Sequence, residues 1–429
     1  MTLSSSAPEP RVDVLANGVR VITLALPHLD SACVSVFLRT GSSHESRRSN
    51  GISHLVEHMA FKGTQQRSCQ QINLDAERLG AEVNAHTDKD HTAYHMRGLA
   101  RDAGRFVQML ADIVQHGSFP EAELERERQV ILQEFAEEDD DAFAAAYKLF
   151  DKLCYGSHPF AQPVIGQRRN IERLTREDLL AYVRRQYTGV NLVVAVAGRI
   201  DPDAIVREAE AAFGALPRGS ENRLAPPAWV GGFAARRMAG VSQSHVVLGF
   251  PVPASIDEGH HAAVVAAALF GEGMSSPLMD EIRERRGLVY YAACSADLSE
   301  LAGQFVVEAS MAPENVEQFG TEVLRLLRAQ AQAIDPVGLE RARNQIAVRR
   351  LELQERPFRR LEEAALDLFT LGRVRAEAER LERLMAVPEQ ELREAFERML
   401  AASGSVAIAG RVRSTAPAHW KALLEPAAG

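Results

Sequence analysis

"LERERQVI", residues 124–131, recurs as "LERARNQI" at residues 339–346, and "AVAGRI" at 195–200 recurs as "AIAGRV" at 407–412. The two offsets, about 215 and 212 residues, nearly agree. Two short matches that keep both order and separation point to duplication rather than chance. The chain is therefore read as two homologous domains, residues 1–222 and 223–429. The Pro-, Gly- and polar-rich stretch "LPRGSENRLAPPAW" at 216–229 is the expected linker. A length of 429 residues also exceeds what one hydrophobic core commonly serves.

Within the first copy, "VDVLANGVRVITLAL" alternates apolar and polar residues about Asn17-Gly18, the signal of a hairpin with a two-residue turn. A strand is expected over Cys33–Arg39. Ile52, Leu55, Val56 and Met59 then recur at helical spacing, and "AEVNAHTDKDHTAYHM" reads as a second hairpin. Helical patterns follow from Arg101 to His116 and from Pro120 past Glu134. Hairpins alternating with helices make the fold class α+β: two homologous domains, each a mostly antiparallel sheet packed with helices.

On the helix predicted from Ile52 to Met59 lies the pattern His54-x-x-Glu57-His58. Residues four apart on a helix are offset by about 40° and one turn, so both imidazoles can converge on one ion. Glu57, on the flank of that pair, can act as general base toward a water that the metal activates. The alternative is the polar edge of an ordinary amphipathic helix. A catalytic zinc needs a third protein ligand, often a carboxylate. Glu134 is the candidate, and Glu127 lies seven residues earlier on the same helix face: one can ligate while the other supports a ligand from behind. The second copy has no such motif and carries Ala342 and Arg349 at the positions of Glu127 and Glu134. A site built in one domain on a shared frame would show this asymmetry.

Composition narrows the function classes. A hydrophobic fraction of 46%, with no uninterrupted apolar run of about 18 residues, is that of a soluble globular protein and leaves no membrane span. The formal charge of −9 speaks against nucleic acid and suits a cationic peptide better. The acidic run "EFAEEDDDAF" at 134–143 is read as a solvated helix end or loop. Cys33, Cys69, Cys154 and Cys294 are scattered, as reduced structural thiols are. The start "MTLSSSAPEPRVDV" lacks the layout of a secretory signal, so a cytoplasmic location is expected.

These residues resemble the pitrilysin family of inverted-motif zinc peptidases, which includes the mitochondrial processing peptidase and insulin-degrading enzyme. His54, Glu57, His58, Glu127 and Glu134 all match its pattern, with the last glutamate about 76 residues beyond the motif. "GISHLVEHMAFKGT" and the duplication extend the likeness over nearly the whole chain, most closely to short bacterial members and the processing peptidase's beta subunit. The resemblance implies His54, His58 and Glu134 as ligands of one Zn2+ per chain, Glu57 as base and Glu127 behind the ligands. It implies that Asn84 and Ala85 lie along a peptide added to the sheet edge as an extra strand. It implies further that Arg283 and Tyr290, after the loop "GEGMSSP", bind substrate and stabilise the oxyanion. In paired half-length members that Arg/Tyr pair serves the partner's zinc, and the chains form a clamshell of four domains. A homodimer, or a heterodimer with a related chain, would follow.

Two positions depart from the family pattern: His86 stands where an aromatic residue is commoner, and Pro277 where Arg is. His86 is not counted as a ligand, because the usual set is already filled, and His91 and His95 are read as structural or exposed. The expected function is a zinc endopeptidase acting on peptides or unfolded segments in an enclosed chamber, with leader or presequence processing as a narrower form. The alternatives are a non-catalytic peptide-binding or scaffold subunit of a heterodimer, and a zinc hydrolase of small amides.

Overall fold

A computed structural model describes residues 8–424. The strands are β1 (Arg11–Val14), β2 (Arg20–Ala25), β3 (Ser31–Leu38), β4 (Glu82–Thr87), β5 (Thr92–Leu99), β6 (Leu192–Gly198), β7 (Gly232–Arg237), β8 (Ser244–Val252), β9 (Tyr291–Leu298), β10 (Gly303–Met311) and β11 (Ser405–Gly410). The helices of the first half are α1 (Ile52–Ala60), α2 (Cys69–Arg78), α3 (Ala103–Gln115), α4 (Glu121–Asp140), α5 (Ala142–Tyr155), α6 (Arg168–Ile171), α7 (Arg176–Gln186) and α8 (Pro202–Phe213). Those of the second are α9 (His260–Gly271), α10 (Val316–Gln332), α11 (Pro336–Gln354), α12 (Pro357–Leu371), α13 (Glu377–Ala386), α14 (Glu389–Ala401) and α15 (Ala416–Leu424), with a π-helix over Leu278–Arg285.

Two sheets carry the duplication. The first has the order β1-β2-β6-β3-β5-β4 and the second β7-β11-β8-β10-β9. Without β1, the orders superpose strand for strand. In each, a single parallel pair, β2 with β6 and β7 with β11, sits among antiparallel neighbours. The repeated "A-x-A-G" is explained by the period of two. In β6, Val194 and Val196 enter the main core while Ala195 and Ala197 face the other side. In β11, Val406 and Ile408 do the first and Ala407 and Ala409 the second. The glycines that follow are equally constrained. Gly198 and Gly410 have φ of 140° and 100°, and a Cβ on either would lie 2.3 Å from a carbonyl oxygen, of Ser31 or Gln243.

The expected division at residues 222 and 223 follows the repeat, whereas compact packing exchanges one helix between the copies. One unit takes in the chain as far as Phe135, with Gln162–Leu224 and Glu352–Ala376. The other takes in Ala136–Ala161, Ala225–Leu351 and the chain from Glu377. In the first, α12 lays Leu361, Ala364, Ala365 and Leu368 on Phe37, Val193, Ala195 and Ala197. In the second, α5 lays Ala142, Ala145, Ala146 and Phe150 on Val247, Val306, Ala407 and Ala409. Small residues on both the strand and the helix permit this close approach.

One local expectation, the two-residue turn at Asn17-Gly18, changes. The β1–β2 loop has three residues, Ala16 to Gly18, because Leu15 N–H bonds Val19 O and Gly18 takes φ 91° as a turn-closing bulge. The acidic run forms the end of α4. The stretch from Pro217 to Gly231 is irregular, and all four cysteines are free thiols. Among the described residues, no helix is long and apolar enough to cross a membrane.

Candidate metal centre

Helix α1 buries Ile52, Leu55, Val56 and Met59 against the first core, which turns His54, Glu57 and His58 toward the opposite flank. Its start is held by a residue the motif does not reveal. The buried Glu45 carboxylate accepts from Gly51 N–H (2.8 Å), Ser53 N–H (2.7 Å) and Asn50 Nδ2 (2.8 Å). A carboxyl group is thereby placed on free donors at a helix N-terminus; burial raises it to about 7, and these donors and the helix dipole oppose that rise. Gly51 caps with φ 103°, and a Cβ there would press on Ile171 and the Ile165 carbonyl.

Helix α4 packs Leu124, Ile131 and Phe135 inward and brings both glutamates to α1. Glu134 faces the two rings: His54 Nε2 lies 3.8 Å from its Oε2 and His58 Nε2 3.6 Å from its Oε1. One ligating atom from each of His54, His58 and Glu134 falls within 4.8 Å of the others. Glu127 takes the supporting place. Its Oε2 is 3.1 Å from His58 Nδ1 and its Oε1 2.7 Å from Lys62 Nζ. A proton on His58 Nδ1 then leaves Nε2 with its lone pair toward Glu134. Lys62 fixes the carboxylate, and no feature of the motif indicates it.

The electrostatics suit a cation. Burial, and secondarily His58, lowers the His54 imidazole to about 3, so this ring is neutral, the form that ligates. Its Nδ1 is buried without a hydrogen-bond partner among the described residues. Glu57 is raised by burial and accepts a 2.7 Å hydrogen bond from Thr87 Oγ1 on β4. The nitrogens of His54 and His58 and the Glu134 carboxyl form a donor set fitted to zinc, with the Glu57 carboxyl held beside it.

The remaining sequence candidates fall elsewhere. Asn84 and Ala85 lie on β4, an edge strand among the described residues. Asn84 Oδ1 accepts from Ala85 N–H at 2.8 Å. Alternation along β4 sends Thr87 toward Glu57 and His86 to the opposite face, where it meets Glu362 of α12 at 3.2 Å. His86 therefore does not join the set on α1. His91 is buried, and His95 packs on Phe358 with ring centroids 4.5 Å apart. Arg283 and Tyr290 belong to the second unit, both exposed. Arg283 lies on the π-helix whose N-cap is Pro277, and Tyr290 N–H bonds Ser310 O at 2.9 Å.

Residues 20–167 match the family model for insulinase, peptidase family M16, and residues 173–346 match the model for the M16 inactive domain. An uncharacterized zinc protease of Rickettsia bellii is 30% identical over 400 residues, covering 93% of this chain and 97% of that protein. One from Mycobacterium tuberculosis is 36% identical over 315 residues, 72% of each. Among solved structures, a protease from Helicobacter pylori superposes with a TM-score of 0.85 at 21% identity, covering 94% of this chain and 99% of that one. A peptidase M16 inactive domain from Pseudomonas fluorescens gives 0.84 at 20% identity, with the same coverage. These two likenesses concern the fold.

Proposed function

Because the chain belongs to peptidase family M16, the insulinase family, we propose that it is a zinc-dependent endopeptidase with His54, His58 and Glu134 as ligands and Glu57 as general base. The observation that carries this reading is the convergence of those three side chains within 4.8 Å, beside a carboxylate held by Thr87. Names of relatives that include zinc and protease support it. The inactive-domain model covers residues 173–346, which contain none of these four side chains, so it does not bear on this set.

When bound, zinc supplies Lewis-acid activation of water and of a peptide carbonyl. Glu57 takes the proton of the attacking water and returns it to the leaving amine, so no acyl-enzyme forms. Thr87 keeps that carboxylate in place, while Glu127 and Lys62 fix the His58 ring. The peptide adds to the β4 edge along Asn84 and Ala85, and its backbone takes over the Ala85 N–H now bonded to the Asn84 side chain. Arg283 and Tyr290 bind substrate and stabilise the oxyanion in a partner chain's site. The assembly is then a homodimer, or a heterodimer with a related chain, one zinc in each site. Peptides and unfolded segments, leader or presequence peptides in the cytoplasm among them, are the substrates of this reading.

The test is cleavage of a mixed peptide library by wild type and Glu57→Gln, with zinc assayed in both. Unchanged cleavage by a zinc-loaded Glu57→Gln enzyme would defeat the assignment. Mixing Glu57→Gln with Tyr290→Phe addresses the dimer, because intact zinc and Arg/Tyr domains then meet only across chains. Recovered activity supports the shared site, and none argues that each chain works alone.

A further inference from the structure

A second convergence of ligating atoms lies on the other face of the same sheet. His86 of β4, His91 at the end of the β4–β5 turn, and Glu362 of α12 each offer one atom to a common point. His86 Nε2 is 3.3 Å from His91 Nε2 and 3.2 Å from Glu362 Oε1, and His91 Nε2 is 3.9 Å from that oxygen. Ligands about 2.0–2.1 Å from a tetrahedral ion stand about 3.3 Å from one another. Two of the three separations match that spacing, and the third, His91 to Glu362, is about half an ångström wider.

The surroundings aim these atoms at one point. Although burial opposes it, hydrogen bonds to Asp90 and Glu362 raise His91 to about 10 and hold it in its charged form, with a proton that a bound metal would displace. His91 Nδ1 lies 2.7 Å from Asp90 Oδ1, which takes the proton-bearing side of the ring and leaves Nε2 toward Glu362. Glu362 Oε2 accepts from Arg359 Nη1 at 2.7 Å, which leaves Oε1 for the shared point. His58 and Glu127 show the same arrangement around the first set. His91 and Glu362 are largely covered, while His86 is about one-third exposed and gives a way in. The other unit provides a contrast. At the level of Glu362, α5 carries Tyr147, which donates to Glu308 Oε2 at 2.5 Å, and Tyr291 donates to Oε1 at 2.5 Å. There the carboxylate is met by two phenol hydroxyls, where Glu362 is met by two imidazoles.

We propose that His86, His91 and Glu362 bind a second divalent transition metal of the zinc class, with a fourth position open to water, clamping α12 to the β4–β5 hairpin. Two imidazoles and one carboxylate select zinc or cobalt over magnesium or calcium, which prefer all-oxygen shells. The site goes beyond the peptidase reading and uses none of its ligands.

Full-length protein stripped with chelator is dialysed against Zn2+ or Co2+, and the metal per chain is counted by elemental analysis. Wild type should retain two equivalents, His58→Ala one, and His58→Ala/His86→Ala none. Co2+ in His58→Ala should give tetrahedral-type visible absorption that the double variant and His58→Ala/Glu362→Gln lack. Zn2+ should raise the melting temperature of His58→Ala and leave that of His58→Ala/His86→Ala unmoved, which also shows that both are folded. A single equivalent in wild type that His58→Ala abolishes would overturn the second site and leave the first. Two equivalents that survive in folded His86→Ala and Glu362→Gln would overturn it as well. One equivalent lost in His86→Ala but kept in His58→Ala would support it and defeat the first.

Discussion

Helices α1 and α4 of one unit correspond to α9 and α11 of the other, yet where the first pair brings ionisable groups together the second packs mainly apolar side chains. Both α1 and α9 begin at a left-handed glycine, Gly51 and Gly259. Aligned on those caps, Ala262, Val265 and Ala266 stand where His54, Glu57 and His58 do. All three are fully buried, as is Ala342 in the place of Glu127, and they share one core with Leu339 and Ile346. Arg349, in the place of Glu134, pairs with Glu272 at 2.8 Å. What the repeat keeps is scaffold. Leu124 and Leu339 are both buried, and Arg128 and Arg343 each donate to backbone carbonyls, of Leu174 at 3.1 Å and Val387 at 2.8 Å. A buried polar cluster is less favourable than packed alanine and valine unless something compensates it, and in one copy only the polar cluster was kept.

The contrast breaks most sharply at Glu57. If it is the base, Glu57→Gln should lower peptide cleavage by about 10³-fold while the zinc content stays at the wild-type level. Steady-state rates alongside elemental analysis decide it. A loss of zinc would make Glu57 part of the binding set instead. The converse substitution, Val265→Glu, puts a carboxylate into the second core with no partner prepared for it. It should cost about 3–5 kcal/mol in urea unfolding, whereas Glu57→Val should cost little or add stability. Equal destabilisation by both would mean that the two pockets are alike in polarity.

A smaller effect tests the supporting layer. Glu127→Gln keeps the shape but removes the charge that Lys62 and His58 share. Zinc affinity should fall by about 10–100-fold, read by chelator competition, because the His58 ring loses the group that orders it. Ala342 shows that the frame itself tolerates a small apolar residue at this point. Global unfolding of Glu127→Gln would therefore be unexpected.

How much of this could be read in advance follows from the range of each interaction. The duplication, α1, the β4–β5 hairpin and the two glutamates of α4 are written in local period and spacing, so sequence shows them. The exchange of α5 and α12 is not, since an alanine-lined helix face carries no sign of which sheet it covers. Nor is Glu362, about 270 residues from His91, or Glu45, one acid among polar neighbours in "HESRRSN". His86 was visible as a departure from the family pattern, but its face was fixed only by the register of β4.

Thr87 is the least legible of these residues and gives the finest test. It is a threonine in a hairpin, 30 residues from Glu57, and its hydroxyl donates to the Glu57 carboxylate at 2.7 Å. A hydrogen bond to a charged group contributes about 1.5–3 kcal/mol, and much of that is recovered when water replaces the hydroxyl at a partly open site. Thr87→Val, similar in shape, should therefore lower kcat by about tenfold with zinc content unchanged, and Thr87→Ser should restore it. Because Thr87 lies on the strand proposed to receive the peptide, a rise in KM with kcat intact would assign it to substrate binding. A fall in kcat alone would place it behind the base, and would separate the orientation of Glu57 from the mere presence of a carboxylate, a distinction the second unit, with valine at that position, cannot supply.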